Sequence, residues 1–316
     1  MATRETTWTV LEAARTLRRS EAEVYRMIEQ GALAAERAEG QWRISDAALR
    51  RALGQGTTAR ATVISIANQK GGVGKTTTAA NLGVLLAEHE PTLLVDCDPQ
   101  AHLSAAFGVR VDAGAPSLGD ALLGRATIEA ALRAQIAPNL DLIPAALTLE
   151  LDESALLARD LGRERALLTA LRPLLESGRY GYVLLDCPPR LSLLTTAALV
   201  MSRWVIVPVK TDIWGISGMD NLLRRMAEVR DQANPDLELL GVLPTFYDGR
   251  TLLAREVIEQ LRARVGDRLL TARIRQAVRA AESPAYGVPV VLHDPLAEVS
   301  QGFRHLAEEV RRGTRA

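Results

Sequence analysis

Lys70-Gly71-Gly72-Val73-Gly74-Lys75-Thr76-Thr77 follows an apolar run, Val63-Ile64-Ser65-Ile66-Ala67, and precedes a helix-forming stretch from Thr77 to Glu88. A glycine-rich turn between a strand and a helix lets backbone N–H groups close on phosphate oxygens. In such a turn Lys75 supplies positive charge for β- and γ-phosphates, and the Thr76 hydroxyl is placed to hold Mg2+. Lys70 stands in addition to this pattern, at the loop entrance, and points away from the phosphates its own loop would cradle. The chain has three lysines, Lys70, Lys75 and Lys210, and otherwise uses arginine. A compact ammonium is chemically unlike a planar guanidinium. Two lysines within six positions of a phosphate loop therefore read as chosen for their chemistry.

Two further phrases end apolar runs in carboxylates: Leu93-Leu94-Val95-Asp96-Cys97-Asp98-Pro99-Gln100 and Val183-Leu184-Leu185-Asp186-Cys187-Pro188-Pro189. Ligands of an open parallel sheet gather beyond the carboxyl ends of its strands. Phosphoryl transfer is mostly positioning and charge neutralisation, so it wants a cation cradle, a metal and a group that holds water. The bland alternative for each Asp is a cap on the next helix. Cys97 and Cys187 leave two readings open, a redox pair or two small buried apolar residues. No Cys-x-x-Cys pair is available for an iron–sulfur cluster.

The loop with its extra lysine resembles the deviant Walker A motif of the ParA/MinD family of P-loop ATPases. The two carboxylate phrases resemble, in order, that family's Walker A′/switch I and Walker B/switch II, and the likeness covers roughly residues 62–316. It implies ATP and Mg2+ as cofactors, bound by residues 70–77, with Thr76 and Asp186 on the metal side. It implies catalytic roles for Lys70, Lys75 and Asp98, with Asp98 orienting the attacking water and Lys70 crossing to the nucleotide of a second subunit. A homodimer closed by ATP would bind DNA without sequence preference, and a ParB-like centromere-binding protein would stimulate hydrolysis and release it.

Tyr247-Asp248-Gly249-Arg250-Thr251 and Ile274-Arg275-Gln276-Ala277-Val278-Arg279 resemble two stretches of that family whose arginines hold DNA. The likeness assigns this role to Arg250 and Arg279, with Arg275 beside them. The second stretch departs from the family's usual Ile-Pro-Arg-Asn-Val-Arg, which bears on base contacts. Between 250 and 279 eight arginines face three acids, a surplus of five. That is the electrostatic footprint of phosphate-backbone binding, or else a solvated helix face of snorkelling arginines. Lys210 follows Val207-Pro208-Val209, where the family more often has a neutral polar residue; a role at the nucleotide or dimer edge stands against an ordinary surface lysine.

These residues need a scaffold, and from Thr62 onward apolar runs alternate with helical segments. Strands are expected at 63–67, 92–96, 140–143, 182–185, 204–209, 239–245 and 288–292. The pattern is that of an α/β protein with a doubly wound, mostly parallel sheet. Residues 1–53 read as a separate unit. Thr9-Val10-Leu11-Glu12 and Ser20-Glu21-Ala22-Glu23 are capping boxes, opening helices from Val10 to Leu17 and from Glu21 to Gln30, the second closed by Gly31. A hairpin is expected from 33–37 and 41–44, then a helix capped by Ser45 and running to Leu53. The order resembles the winged helix-turn-helix of excisionase/MerR-type DNA-binding domains. Its DNA candidates are Tyr25 and Arg26 on the second helix and Arg37 and Arg43 on the wing, with Arg15, Arg18 and Arg19 for phosphates. Glu21 and Glu23 would repel phosphate, although one could accept from a cytosine amino group; a protein-interaction module is the alternative. Residues 54–61 read as a linker.

The bulk numbers fit. A chain of 316 residues with 47% hydrophobic and 24% charged content is an ordinary globular protein. Zero net charge confines any DNA contact to a local patch. No apolar run reaches the roughly 18–20 residues that span a bilayer, and Met1-Ala2-Thr3-Arg4-Glu5 has no apolar signal core, so a cytoplasmic, nucleoid-associated protein is expected. Phe303, Leu306 and Val310 give the last helix an apolar side for packing rather than for a membrane. The leading expectation is an ATPase that partitions plasmid or chromosomal DNA. The alternatives are an ATP-gated transcription regulator working through residues 1–53 and an ATPase that positions a protein cargo.

Overall fold

The computed structural model describes residues 7–17, 19–29, 33–38, 40–45, 48–49, 52, 61–212, 215–276 and 287–315. The chain divides into two compact units, with the main break between Ala61 and Thr62.

The first unit contains β1 (Thr7–Thr9), α1 (Val10–Leu17), α2 (Glu21–Glu29), β2 (Ala35–Ala38) and β3 (Gln41–Ser45), its strands antiparallel in the order β1-β3-β2. Both capping boxes form. The Thr9 N–H donates to Glu12 Oε2 at 2.8 Å and the Glu12 N–H to Thr9 Oγ1 at 3.3 Å; Ser20 and Glu23 repeat the exchange at 2.9 and 3.3 Å. Each box satisfies two N–H groups that a helix start leaves free. Val10, Ala13, Ala14, Val24, Ile28 and Ile44 make the core. The strand β1 is an addition to the sequence reading: three residues that run straight into a cap carry no period to detect. Ser45 Oγ accepts from the Ala48 N–H at 3.2 Å, as a cap there requires. Leu49 and Ala52 are helical as expected, while the remainder of the helix to Leu53, the Gly31 cap and nearly all of the 54–61 linker lie outside the described residues.

The second unit is built on seven strands: β4 (Thr62–Ile66), β5 (Thr92–Asp96), β6 (Arg133–Ala137), β7 (Leu140–Ile143), β8 (Tyr182–Asp186), β9 (Trp204–Lys210) and β10 (Glu238–Thr245). Their order is β10-β9-β4-β8-β5-β7-β6, parallel throughout except for β6 against β7. The helices are α3 (Lys75–Ala87), α4 (His102–Ala105), α5 (Leu118–Leu123), α6 (Ile128–Ala131), α7 (Leu149–Leu157), α8 (Ala166–Glu176), α9 (Leu193–Met201), α10 (Gly215–Gln232), α11 (Leu252–Val265), α12 (Val290–His293) and α13 (Glu298–Arg315). β5 and β8 are buried along their whole length, as parallel strands covered by helices on both faces must be. The chain leaves β4 for β5 on one side and β8 for β9 on the other. This reversal opens a crevice at the carboxyl ends of β4 and β8, where doubly wound sheets take their ligands.

Two segments differ from the sequence reading. Residues 288–292, expected as a strand, form the helix α12 after Pro289, and Asn81 Oδ1 accepts the Val291 N–H at 3.0 Å. Short apolar β-branched runs do not distinguish strand from buried helix. β6 went unforeseen because Arg133 and Gln135 give it the polarity of an edge. Phe303, Leu306 and Val310 of α13 are fully buried in the same core as Leu82 and Leu86 of α3. No helix among the described residues is long and apolar enough to cross a membrane.

Candidate functional site

Residues 70–74 turn between β4 and α3. Gly72 and Gly74 take φ of +68° and +87°, a left-handed conformation that glycine adopts without strain. The helix starts at Lys75, so N–H groups without intrahelical partners and the positive end of the helix dipole fall at Lys75, Thr76 and Thr77. That is an anion-binding arrangement. Gly71 and Gly72 are exposed and Val73 is buried. Distant strands brace the loop: Thr245 Oγ1 donates to the Val73 carbonyl at 2.8 Å, and Asn68 Nδ2 to the Pro208 carbonyl at 2.7 Å.

The carboxylates gather beside it. Asp96 and Asp186 are register partners at the ends of β5 and β8. Asp186 is fully buried and neither of its carboxylate oxygens has a well-formed hydrogen bond. Burial pushes its pKa well up and the charge of Asp96 adds to this, while the Thr76 hydroxyl and the Lys75 ammonium pull it part of the way back. Asp96 is differently occupied. Its Oδ2 accepts the Ser104 N–H at 2.8 Å and the Ser104 hydroxyl at 2.7 Å, and its Oδ1 accepts the Asp98 N–H at 3.2 Å. Burial raises its pKa to about 6 against those bonds. Asp96 therefore shapes the turn that presents Asp98, whose own Oδ1 accepts the Gln100 N–H at 3.0 Å. Lys75 donates to the Lys70 carbonyl at 3.0 Å; burial lowers its pKa and the charge of Asp186 opposes that.

Asp186 and Asp98 thus face one buried ammonium, with Asp96 beside Asp186. A fully buried carboxylate with unpartnered oxygens is costly unless charge or hydrogen bonds compensate it, and a hard cation beside the Thr76 hydroxyl would do so. Among the described residues no group of three or more His, Cys, Asp or Glu could hold a metal by itself. A cation here would take its other oxygens from water and phosphate, the habit of Mg2+. The residues present fit that ion and a nucleotide phosphate tail.

Cys97 and Cys187 are both fully buried, with Sγ atoms turned to the Val95 and Leu185 carbonyls at 3.9 Å. Burial pushes the Cys97 thiol far up and the Cys187 thiol to about 12. A reactive cysteine needs an accessible thiolate, so the redox reading gives way to small apolar residues at tight strand ends.

Lys70 donates to both oxygens of Asp212, at 3.0 and 3.3 Å. Lys210 lies 3.4 Å from the same carboxylate and 5.5 Å from the centroid of the Phe246 ring. Asp212, Asn68 and Thr245 were not foreseen; an acid two positions past Lys210 at a strand end was the signal for the first. A cavity of about 1070 Å³ opens beside the turn after Asp98, lined by Gln100, Arg110, Asp120, Arg125 and Asp152 among others. It contains none of residues 70–77 and stands apart from this cluster.

The arginine segment looks different in three dimensions. Tyr247 bridges Arg275, so the 247–251 and 274–276 stretches lie side by side. Arg250 donates to both Asp248 oxygens at 2.9 and 2.8 Å, and Arg275 to Glu298 at 2.7 Å. Arg264 pairs with Asp220 at 3.8 Å and Arg268 with Glu238 at 3.6 Å. Four acids from outside the segment therefore offset the surplus counted along the sequence. Half-buried Arg273 spends its guanidinium on the Leu270 and Ala272 carbonyls. Arg279 lies outside the described residues. In the first unit Tyr25 and Arg26 are exposed on α2, Arg43 is half-buried on β3, and Arg37 stacks over Trp42 at 5.5 Å. Glu23, considered for base contact, is turned back onto Ser20.

An AAA domain family matches residues 61–239, and a helix-turn-helix domain family matches residues 9–57. The chromosome partitioning protein ParA of Caulobacter vibrioides is 41% identical over 250 residues, covering 78% of this chain and 93% of that protein. The chromosome-partitioning ATPase Soj of Thermus thermophilus is 42% identical over 251 residues, covering 78% and 94%. Among solved structures, a Mycobacterium smegmatis cobyrinic acid a,c-diamide synthase with bound ATP analogue and magnesium superposes with a TM-score of 0.70 at 34% identity, over 81% of this chain and 96% of that one. The chain belongs to the ParA/Soj family of P-loop ATPases and carries a helix-turn-helix domain ahead of its ATPase fold.

Proposed function

We propose that the protein is a Mg2+-dependent ATP hydrolase that partitions DNA. Asp186 carries the reading: its buried, unpartnered carboxylate stands with Lys75 and Thr76 at the start of a helix that follows a glycine turn. Residues 70–77 would hold the nucleotide, with Lys75 on its phosphates, Thr76 and Asp186 would hold the Mg2+ and its water shell, and Asp98 the attacking water. Bound Mg2+ would neutralise the charge that develops on the phosphoryl oxygens. Lys70 would reach the nucleotide of a second copy, so that ATP closes a homodimer.

The dimer would bind DNA through Arg250, Arg275 and Arg279, and a ParB-like partner would stimulate hydrolysis and release. Partition names among relatives at 41–42% identity favour this over the synthase name of the solved structure at 34%. Tyr25, Arg26 and Arg43 would add a second, sequence-specific contact. The test is binding to a random-sequence duplex with ATP, with ADP and without nucleotide. ATP-dependent, salt-sensitive binding that is lost in Lys70→Ala and persists when Tyr25 and Arg26 are both replaced by Ala supports partition. Binding that ignores nucleotide and disappears with the Tyr25/Arg26 pair would instead favour a transcription regulator.

A further inference from the structure

Lys70 is held from two sides. Asn68 Oδ1 accepts its N–H at 3.0 Å, and Asn221 on α10 donates to Gln69 Oε1 at 2.7 Å. A Cβ on Gly218 would lie 2.7 Å from Asn68 Oδ1 and 3.3 Å from Lys70 Cβ, so the first turn of α10 sits directly on this segment. The ammonium at the far end reaches Asp212 just past β9, not the phosphate loop. Asp212 faces a second ammonium, Lys210, which rests near the Phe246 ring. Two of the chain's three lysines therefore converge on one carboxylate.

The Lys70 ammonium cannot lie on Asp212 and on a phosphate of another subunit's nucleotide at the same time. The two positions compete, and the balance depends on what becomes of Asp212 when Lys70 leaves. A carboxylate left alone beside a packed helix start would resist the departure; one that keeps a second cation would not. Lys210 is that cation. Burial by itself would raise the pKa of Asp212, yet Lys70 and then Lys210 bring it below the usual carboxylate value, as two cations on one acid should.

We propose that Asp212 is a positioning residue that retains Lys70 within its own chain, and that Lys210 takes over the carboxylate when Lys70 leaves for a nucleotide phosphate. The destination of Lys70 rests on the function proposed above; its retention by Asp212 does not. The device sets the ATP concentration at which two copies associate. It also gives a reason for a lysine at 210: a second charge there lowers the cost of releasing the first.

With only three lysines, the full-length protein suits 15N-lysine NMR of side-chain ammonium groups, assigned with Lys70→Arg and Lys210→Arg. In the wild type and Asp212→Glu, the Lys70 ammonium should be protected from solvent exchange. In Asp212→Asn it should lose that protection and the Lys210 signal should move with it. By sedimentation, Asp212→Asn should associate at lower ATP, about threefold per released pair and so about tenfold for a symmetric dimer, the range of a partly exposed ion pair. Lys210→Ala should shift the threshold the other way. An unchanged Lys70 signal in Asp212→Asn would overturn the proposal while leaving the ATPase reading intact. So would a threshold that does not fall in Asp212→Asn. If ATP drives no association in any variant, the dimer reading fails, and with it the second half of the proposal, whereas the NMR result still decides the first.

Discussion

The carboxyl ends of β4, β5 and β8 and the arginine face around Tyr247 both concentrate charge, and they handle it in opposite ways. At the strand ends Asp96, Asp186 and Lys75 are buried with shifted pKa values, and both Asp186 oxygens lack a well-formed hydrogen bond. On the arginine face the two arginines beside Tyr247 are paired with acids, Arg250 with Asp248 and Arg275 with Glu298, at the surface. A buried, unbalanced cluster is expensive and persists where a ligand completes it. Solvent-exposed, balanced pairs contribute little to stability and leave their cations open to exchange of partners. The difference separates a buried cluster that calls for a ligand from a surface whose charges are already paired.

Breaking the buried side should have the largest effect. Lys75→Ala should weaken binding of a fluorescent ATP analogue by roughly 100-fold or more, since charged hydrogen bonds to phosphate are worth ~1.5–3 kcal/mol each. Asp248→Ala in the same titration should change it less than about twofold, as expected of an exposed substitution.

The pH dependence of stability sharpens the contrast. The folded Asp96 titrates at about 6, above the ~3.9 of an unfolded Asp, so its favourable contribution is full below pH 4 and lost as pH rises through 6. Relative to Asp96→Asn, the wild type should lose stability in urea unfolding between pH 5 and 7.5. Asp248, held at about 2 by Arg250 at the protein surface, should leave no comparable signature in that range.

On the exposed side, Asp248→Ala should tighten ATP-dependent DNA binding about two- to fivefold by freeing Arg250. Arg250→Ala should weaken it and flatten the log–log salt slope by about one. The smallest effect belongs to the first unit, where Ser20→Ala should cost about 1 kcal/mol through the lost cap, readable as a lower melting temperature with nucleotide binding unchanged.

The same contrast explains what the sequence could convey. Residues 70–77 are contiguous, and Asp96, Asp98 and Asp186 end obvious apolar runs, so backbone order alone brings them together. Thr245 and Asp212 reach the loop across more than 130 positions, Asn68 ties its entrance to the Pro208 carbonyl across a similar span, and none of the three belongs to a local pattern. The arginine surplus was legible as a count along the chain. Its neutralisation was not, because Asp220, Glu238 and Glu298 arrive by folding. The capping boxes were legible to the residue because both partners sit three positions apart. The α12 segment was misjudged because the run at 288–292 is too short to show a period, and only Val290 and Val291 of the helix are buried.

The most direct test is the Mg2+ dependence of ATP binding in the wild type and in Asp186→Asn. A buried carboxylate waiting for a divalent cation predicts that Mg2+ tightens binding about tenfold or more in the wild type and has little effect in Asp186→Asn, with both proteins folded by circular dichroism. Equal affinity in Mg2+ and in EDTA for the wild type, or full Mg2+ dependence in Asp186→Asn, would contradict the account.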